Sequence, residues 1–249
     1  MINIPFGFEI LLFFVGFLAG MINAVSGGGS IITLPVLILM GLPAGLANGT
    51  NRIGVFFQSL SSFIAYREKY KEFKLSLIFG LLTIPGAIAG ALISTHLSNA
   101  LYEKILAAVV ILIGVYLVLP SKKFEQEDAI VKFNFLNVSI LLLIGFYGGF
   151  MQVGVGFIIL AFLQGVIKMD LMRANSHKVF MAFAFTVPSL IIFILAGEIH
   201  YLNGLILAVG TSLGAWISSK LALKKGEKFI KFFLVISVLL VSLKLLKVY

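Results

Sequence analysis

The stretch Asn23-Ala24-Val25-Ser26-Gly27-Gly28-Gly29-Ser30 interrupts an apolar run that starts at residue 8 and resumes as Ile31–Met40. Three consecutive glycines favour a break, because glycine destabilises the interior of a helix. The resumed run covers only about half of the hydrocarbon thickness of a bilayer at 1.5 Å per residue. We therefore predict a broken-helix hairpin over residues 8–41 that enters and leaves the membrane by one face.

A second interrupted run has the same form. Leu136–Val153 is apolar, breaks around Gly154-Val155-Gly156 and resumes as Phe157–Ile167. The arm after the break is again too short to cross a bilayer. This pattern predicts a second broken-helix hairpin over residues 135–167.

The composition indicates that the surroundings of this chain are lipid. Of its 249 residues, 60% are hydrophobic and 12% are charged, with a mean hydropathy of +1.12. A soluble domain would carry about 25% charged residues. Further apolar runs predict spans at about 50–67, 75–95, 101–119, 175–196, 202–221 and 228–247. The N-terminal apolar run lacks a basic segment before it, so we expect no cleaved signal peptide.

The chain repeats its own pattern. Gly80, Gly86, Gly90 and Ser94 recur 124 residues later as Gly204, Gly210, Gly214 and Ser218. The same order of features in both parts predicts a first repeat at 1–119, a cytoplasmic linker at 120–134 and a second repeat at 135–249. The predicted fold is an all-α polytopic membrane protein with two inverted repeats, each a broken-helix hairpin followed by three transmembrane helices.

The positive charges predict the orientation of the chain. If each hairpin returns to the side it entered, all but four of the 19 lysines and arginines lie on one side of the membrane. The positive-inside rule makes that side cytoplasmic and places both termini outside an inner membrane, in the periplasm. The net charge of +9 is explained by these loops, so we do not expect nucleic acid as a partner.

The two hairpin tips are the first candidate for a binding site. Irregular backbone inside a membrane must be buried or line a water-filled cavity, and the N-terminus of a helix attracts anions. Two such N-termini facing one cavity would suit a small oxyanion. The alternative is that the glycines only allow close packing of helices. The candidate residues are Asn23, Ser26, Gly27, Gly28, Gly29, Ser30, Gln152, Gly154 and Gly156.

The second candidate is a pair of matching segments, Thr50-Asn51-Arg52 and Ser176-His177-Lys178, each predicted to open the helix after a hairpin. Basic residues there would attract an anion, although Lys178 could instead extend to the membrane interface. Arg52 lies on the side that is poor in positive charge, which favours a functional role. His177 could be a ligand donor, a proton carrier or a capping side chain.

Missing residue types narrow the function. None of the ten acidic residues lies centrally in a predicted span, whereas cation pumps rely on carboxylates within the membrane. The chain has no cysteine, no Walker motif, no acidic pair for a metal and no nucleophile–base arrangement. We therefore expect no cofactor and no enzyme activity. A secondary transporter for a small anion is the main hypothesis, with an anion channel or uniporter and an intramembrane enzyme as alternatives.

These features resemble the TauE/SafE sulfite exporter family. The resemblance covers the Asn23–Ser30 break, the Asn48–Arg52 segment and the two glycine pairs, Gly86/Gly90 and Gly210/Gly214. It implies an eight-segment fold with two inverted halves and a secondary carrier for sulfite, sulfonates or sulfoacetate. It also implies that the first hairpin and both matching segments surround a small anionic substrate. The second hairpin departs from the pattern, because it lacks a serine and a full run of glycines. Membrane lipid is an expected partner, and the oligomeric state stays open.

Overall fold

The computed structural model describes residues 6–67, 72–118, 131, 133–226 and 229, and this part of the chain is helical without any strand. Most of the predicted linker and the predicted span at 228–247 lie outside the described residues. The helices, in chain order, are α1 (Phe6–Val25), α2 (Ser30–Leu39), α3 (Ala44–Arg67), α4 (Phe73–Thr95), α5 (Asn99–Val118), α6 (Phe135–Phe150), α7 (Val155–Gly165), α8 (Leu171–Leu195) and α9 (Tyr201–Lys225).

Several of these helices suit a membrane. Among the described residues, four helices are long and apolar enough to cross one, at Gly7–Val25, Phe73–Thr95, Leu171–Leu195 and Tyr201–Lys225. Helix α3 has 24 residues but is more polar, and its Asn48, Arg52 and Gln58 are all buried. Polar side chains that face the protein interior avoid the free-energy cost of contact with lipid. The prediction of an all-α polytopic membrane protein is confirmed.

Both predicted breaks are present. Helices α1 and α2 flank residues 26–29, and α2 begins at Ser30 as predicted. Helix α6 ends at Phe150 and α7 begins at Val155. Gly156 therefore lies inside α7, whereas the sequence predicts it in the break. Positive φ angles at Gln152 (65°) and Gly154 (68°) place the break earlier, since left-handed backbone ends a helix.

The segments predicted to open α3 and α8 lie deeper in these helices, and that prediction is wrong. Helix α3 begins at Ala44 and α8 at Leu171, so both segments lie across the second and third turns. The Asp170 side chain accepts a hydrogen bond from Arg173 N (2.9 Å) and caps α8. Gly45 N donates to Asn99 Oδ1 (2.9 Å) at the start of α3. The segments therefore present side chains, not free backbone amides.

Glycines bring helices from the two predicted halves into backbone contact. A Cβ at Gly86 or Gly90 of α4 would lie 2.0 Å from a carbonyl oxygen of α6. At Gly210 and Gly214 of α9 it would lie 2.4 and 2.0 Å from carbonyl oxygens of α1. These two glycine pairs are therefore helix-packing faces. Helix α3 packs on α8 and α9, and α4 also packs on α8.

Candidate functional site

The two hairpin tips touch each other. A Cβ added to Gly27 would lie 2.3 Å from Gly156 Cα, and one added to Gly156 would lie 2.3 Å from Gly27 Cα. Gly27 also has a φ of +89°, which L side chains rarely adopt. Both glycines are buried. Glycine is thus needed on both sides of this contact, and the irregular backbone is shielded from lipid as expected.

A small cavity lies beside the contact between the tips. Its volume is about 20 Å³, which is room for about one water molecule. Gln58, Ser59 and Ser62 line it but were not predicted from the sequence; polar residues in one α3 span were the signal that could have identified them. The complete lining is Asn23, Ala24, Gly27, Val55, Gln58, Ser59, Ser62, Gln152, Val155, Gly156, Lys178, Val179 and Ala182.

Several polar groups around the cavity have no partner in the part of the chain that the structure describes. Gln58 is 4% exposed and forms no hydrogen bond there. Ser62 Oγ and Gln152 Oε1 are buried and unpaired, whereas Gln152 Nε2 donates to Thr186 Oγ1 (2.7 Å). Unpaired buried polar groups are costly. The cavity is therefore suited to a polar ligand.

Lys178 brings a positive charge to this cavity. Its side chain is buried and points inward instead of extending to the membrane interface. Nζ donates to Asn23 O (3.0 Å) and Ala24 O (3.3 Å), which belong to the last turn of α1, the negative end of that helix. An ammonium group has three N–H donors, so one donor of Lys178 is left for another acceptor.

Arg52 makes the matching contact on the second hairpin. Its guanidinium donates to Gly148 O (3.1 Å) and Gly149 O in the last turn of α6. The same group lies 4.4 Å from the centroid of the Phe193 ring, and its Nε is unpaired. Arg52 is fully buried but does not line the cavity. Two of its five N–H donors are thus committed to the second hairpin.

An asparagine accompanies each cation. Asn48 Nδ2 donates to Phe150 O (3.0 Å) at the end of α6, and Asn175 Nδ2 donates to Ala24 O (3.0 Å) at the end of α1. We call Asn48 with Arg52 the α6 clamp, and Asn175 with Lys178 the α1 clamp. Each clamp comes from one predicted half and holds the hairpin of the other.

The remaining predicted residues of α3 support the first hairpin. Asn51 Nδ2 donates to Ser30 Oγ (3.3 Å), and Asn51 Oδ1 accepts from Thr33 Oγ1 (2.6 Å). Thr50 Oγ1 donates to Leu46 O (2.6 Å) and accepts from His200 N (2.9 Å). None of Ser30, Thr50 and Asn51 lines the cavity. These contacts fix α3 against α2 and against the start of α9.

The turn of the first hairpin is packed against α1. Ser26 Oγ donates to Ile22 O (2.7 Å), and Gly29 N donates to Asn23 Oδ1 (3.4 Å). A Cβ at Gly29 would lie 2.3 Å from Ala19 O, and Gly28 beside it is also buried. The start of α2 is therefore covered, and within the described residues the cavity borders one helix N-terminus, the first turn of α7.

The second hairpin and α8 place the other candidates away from the cavity. Gly154 borders an apolar groove with Ile113 and Phe157, and Ser176 Oγ donates to Arg173 O (2.8 Å). The His177 ring contacts Ser76 Oγ (2.7 Å) and Glu72 Oε2 (3.1 Å). No group of three His, Cys, Asp or Glu residues within the described ranges could hold a metal ion.

Glu72, His177 and their neighbours form the ion-pair cluster of the described residues. Glu72 Oε2 lies 2.7 Å from Arg173 Nε and 3.1 Å from His177 Nε2. Neither Arg52 nor Lys178 has an ion pair with an acidic residue in the part of the chain described. In the described part of the chain, the interior therefore holds two basic side chains that pair with no carboxylate, an arrangement that favours a bound anion.

Comparison with known proteins gives consistent relatives. A probable membrane transporter, ORF9 of Sinorhizobium sp., is 31% identical over 98% of this chain and 94% of its own. The probable membrane transporter YfcA of Escherichia coli K12 is 32% identical over 95% and 88%. One from Haemophilus influenzae is 29% identical over 94% and 93%. No solved structure matches the chain.

The family assignment rests on nearly the whole length of the chain. The sequence profile described as "Sulfite exporter TauE/SafE" matches residues 12–245. That range includes both hairpin breaks, both clamps and the cavity. The relatives named above carry the name of probable membrane transporter proteins, and none of these names indicates an enzyme. The chain belongs to the TauE/SafE sulfite exporter family of membrane transporters.

Proposed function

We propose that this transporter moves a small sulfur-containing anion, sulfite or an organosulfonate, across the inner membrane by alternating access. The cavity beside the hairpin tips is its binding site. The observation that carries the proposal is Lys178, a buried cation without an acidic partner in the described residues that borders unpaired polar groups. A buried charge without a partner is unfavourable, so an anion at this position would compensate it.

The lining of the cavity supports an oxyanion in particular. Lys178 has a remaining N–H donor, Gln58 has an amide and Ser62 has a hydroxyl, and each can donate to an oxygen atom. The first turn of α7 adds the backbone amide of Gly156 and a positive helix end, whereas Val155 N already donates to Gln152 O (3.3 Å). This set of donors suits the several negatively charged oxygen atoms of a sulfite or sulfonate group.

The size of the cavity supports alternating access over an open pore. A volume of about 20 Å³ holds about one water molecule, which is less than a sulfur oxyanion requires. An anion would therefore enter only when the tips separate at the contact of Gly27 with Gly156. Inverted repeats move in this way in many secondary transporters. The proposal therefore includes the predicted inverted repeats, the predicted orientation and the periplasmic termini.

The test is binding and flux with a matched pair of lysine variants. Purified protein should bind sulfite and ethanesulfonate, and proteoliposomes should take up both in a saturable manner. Lys178→Met should weaken binding by about 100-fold, because a partly desolvated charge contact is worth a few kcal/mol. Lys104→Met, at an exposed position of α5, should bind as the wild type does. Folded wild-type protein that neither binds nor moves these anions would refute the proposal.

A channel or uniporter of the same fold is the second candidate. The arrangement of donors around the cavity would serve either mechanism, so flux measurements decide between them. A carrier should show counter-flow, in which anion inside the vesicle accelerates uptake of labelled anion from outside. Uptake that follows the membrane voltage without saturation or counter-flow would favour the channel.

A further inference from the structure

The cluster around His177 lies on the other face of α8 from the cavity and is not used by the proposed anion site. His177 and Lys178 are neighbours in sequence, so their side chains leave the helix about 100° apart. Lys178 lines the cavity and His177 contacts α4. One rigid helix thus connects the two environments.

Each ring nitrogen of His177 has a hydrogen-bonding partner. Nδ1 lies 2.7 Å from Ser76 Oγ, and Nε2 lies 3.1 Å from Glu72 Oε2. The serine hydroxyl can donate to a neutral ring or accept from a protonated one. Both protonation states of His177 can therefore keep their hydrogen bonds without any rearrangement of α4.

The charged groups nearest the ring lie at the starts of α4 and α8. Glu72 lies next to it from the start of α4, and Asp170 and Arg173 act on it from the start of α8. The other α4 contacts are uncharged, namely Ser76 and the edge of the Phe79 ring at 5.5 Å. Two carboxylates thus face His177 with one cation, Arg173, that is already paired with Glu72.

Glu72 gives this site access to water. The His177 side chain is 1% exposed, whereas that of Glu72 is 42% exposed. A proton from the aqueous phase can reach the Glu72 carboxylate. It can move along the hydrogen bond to His177 Nε2 when the neutral ring holds its own hydrogen on Nδ1, which then donates to Ser76 Oγ. The loops around residues 72 and 170 are predicted to be cytoplasmic, so the proton would come from that side.

We propose that His177, with Glu72 and Ser76, is a proton-binding site whose occupancy is linked to anion binding in the cavity. This inference rests on the proposed anion site. A proton on His177 adds a positive charge to the helix that carries Lys178 and so strengthens the attraction for an anion. By reciprocity, anion binding raises the affinity of the cluster for a proton. The transported species is then an anion together with a proton.

The experiment measures proton uptake when ethanesulfonate binds to the purified full chain. A sulfonate stays ionised near neutral pH, so any proton taken up goes to the protein. Calorimetry in two buffers of different ionisation enthalpy gives the number of protons per anion. The wild type should take up a fraction of a proton, at most one, and its anion affinity should fall by up to about tenfold per pH unit as the pH rises.

Two histidine variants make the result specific. His177→Gln should bind ethanesulfonate without proton uptake and with an affinity independent of pH. His96→Gln, at an exposed histidine that ends α4, should behave as the wild type. Unchanged proton uptake in His177→Gln, or anion binding by the wild type without proton uptake, would overturn this inference and leave the anion site standing. Absence of anion binding in folded wild type would overturn the anion site itself.

Discussion

The α6 clamp and the α1 clamp bind equivalent positions at the ends of α6 and α1, but the surroundings of their basic side chains differ. Arg52 and Lys178 each bind the carbonyls of the two residues before the last residue of a helix, α6 in one case and α1 in the other. Lys178 borders the cavity, whereas the guanidinium of Arg52 is stacked on Phe193. The same support thus leaves one cation available to a ligand and commits the other to structure.

The contact between the hairpins gives the largest expected effect. Gly27→Ala combines an unfavourable φ with a Cβ 2.3 Å from backbone, and it should destabilise the protein by about 4 kcal/mol. Gly156→Ala has the clash without the positive φ. Gly41→Ala has a φ of +90° without any atom within 4 Å, and should cost about 1 kcal/mol. Thermal unfolding in detergent measures all three, and equal losses at Gly27 and Gly41 would mean that the tips separate easily.

The next effect distinguishes the clamps directly. Arg52→Met should destabilise the protein by about 3 kcal/mol, because it removes two charge-assisted hydrogen bonds from buried carbonyls. Lys178→Met should cost about 1 kcal/mol, since Asn175 still donates to Ala24 O and a buried charge is removed. Unfolding curves of both variants, with Arg52→Lys as the charge-conserving control, test this difference. Equal destabilisation would mean that both cations are mainly structural.

Helix α3 carries one residue that lines the cavity, Gln58, and one that holds α6, Asn48. The ligand-binding and structural roles can therefore be compared within one helix. Gln58→Met should weaken anion binding by about tenfold, which corresponds to about 1.4 kcal/mol for one lost hydrogen bond, with little change in stability. Asn48→Leu should show the reverse, because its amide holds Phe150 O rather than the cavity. Anion titrations and unfolding curves of the two variants provide the check. Loss of affinity in Asn48→Leu alone would reverse the assignment.

The smallest effect concerns Glu72, which lies before α4 and outside the predicted spans. Burial acts to raise its pKa, but hydrogen bonds and charges of Arg173 and His177 outweigh burial and hold the pKa below its ordinary value of 4.5. The folded-state pKa is the lower one, so the stability from this pair is complete above pH 4.5 and is lost as the pH falls through the folded-state pKa. The stability difference between wild type and Glu72→Gln should therefore shrink below pH 4.5. A difference that stays constant would argue against the pair.

Both hairpin breaks could be predicted from the sequence, but the directions in which the side chains of Arg52 and Lys178 point could not. A glycine run or a left-handed residue ends a helix through local backbone preferences, and these are readable in the chain. Which way Lys178 points depends on the rotation of α8, and its partners Asn23 and Ala24 lie more than 150 residues away. For that reason the sequence favoured Arg52 over Lys178.

The position of the two matching segments was missed for a related reason. Charge and polarity suggested that residues 50–52 and 176–178 begin helices. The residues before them, from Ala44 and Leu171, extend each helix by more than a turn, and Asn99 and Asp170 cap the starts of α3 and α8. A capping side chain that comes from another helix, as Asn99 does, leaves no local signal. Gln58 and Ser62 were missed although their polarity within a span is a signal, because the sequence does not show that they face the same cavity as Lys178.

The glycine contacts of α4 with α6 and of α9 with α1 limit how either predicted repeat could exist by itself. Each surface places bare backbone grooves opposite carbonyl oxygens of the other repeat. Expressed separately, residues 1–119 and 135–249 would present these grooves to lipid chains, which cannot follow their shape as closely as a helix does. Each predicted repeat is therefore expected to need the helices of the other before it can form a stable unit.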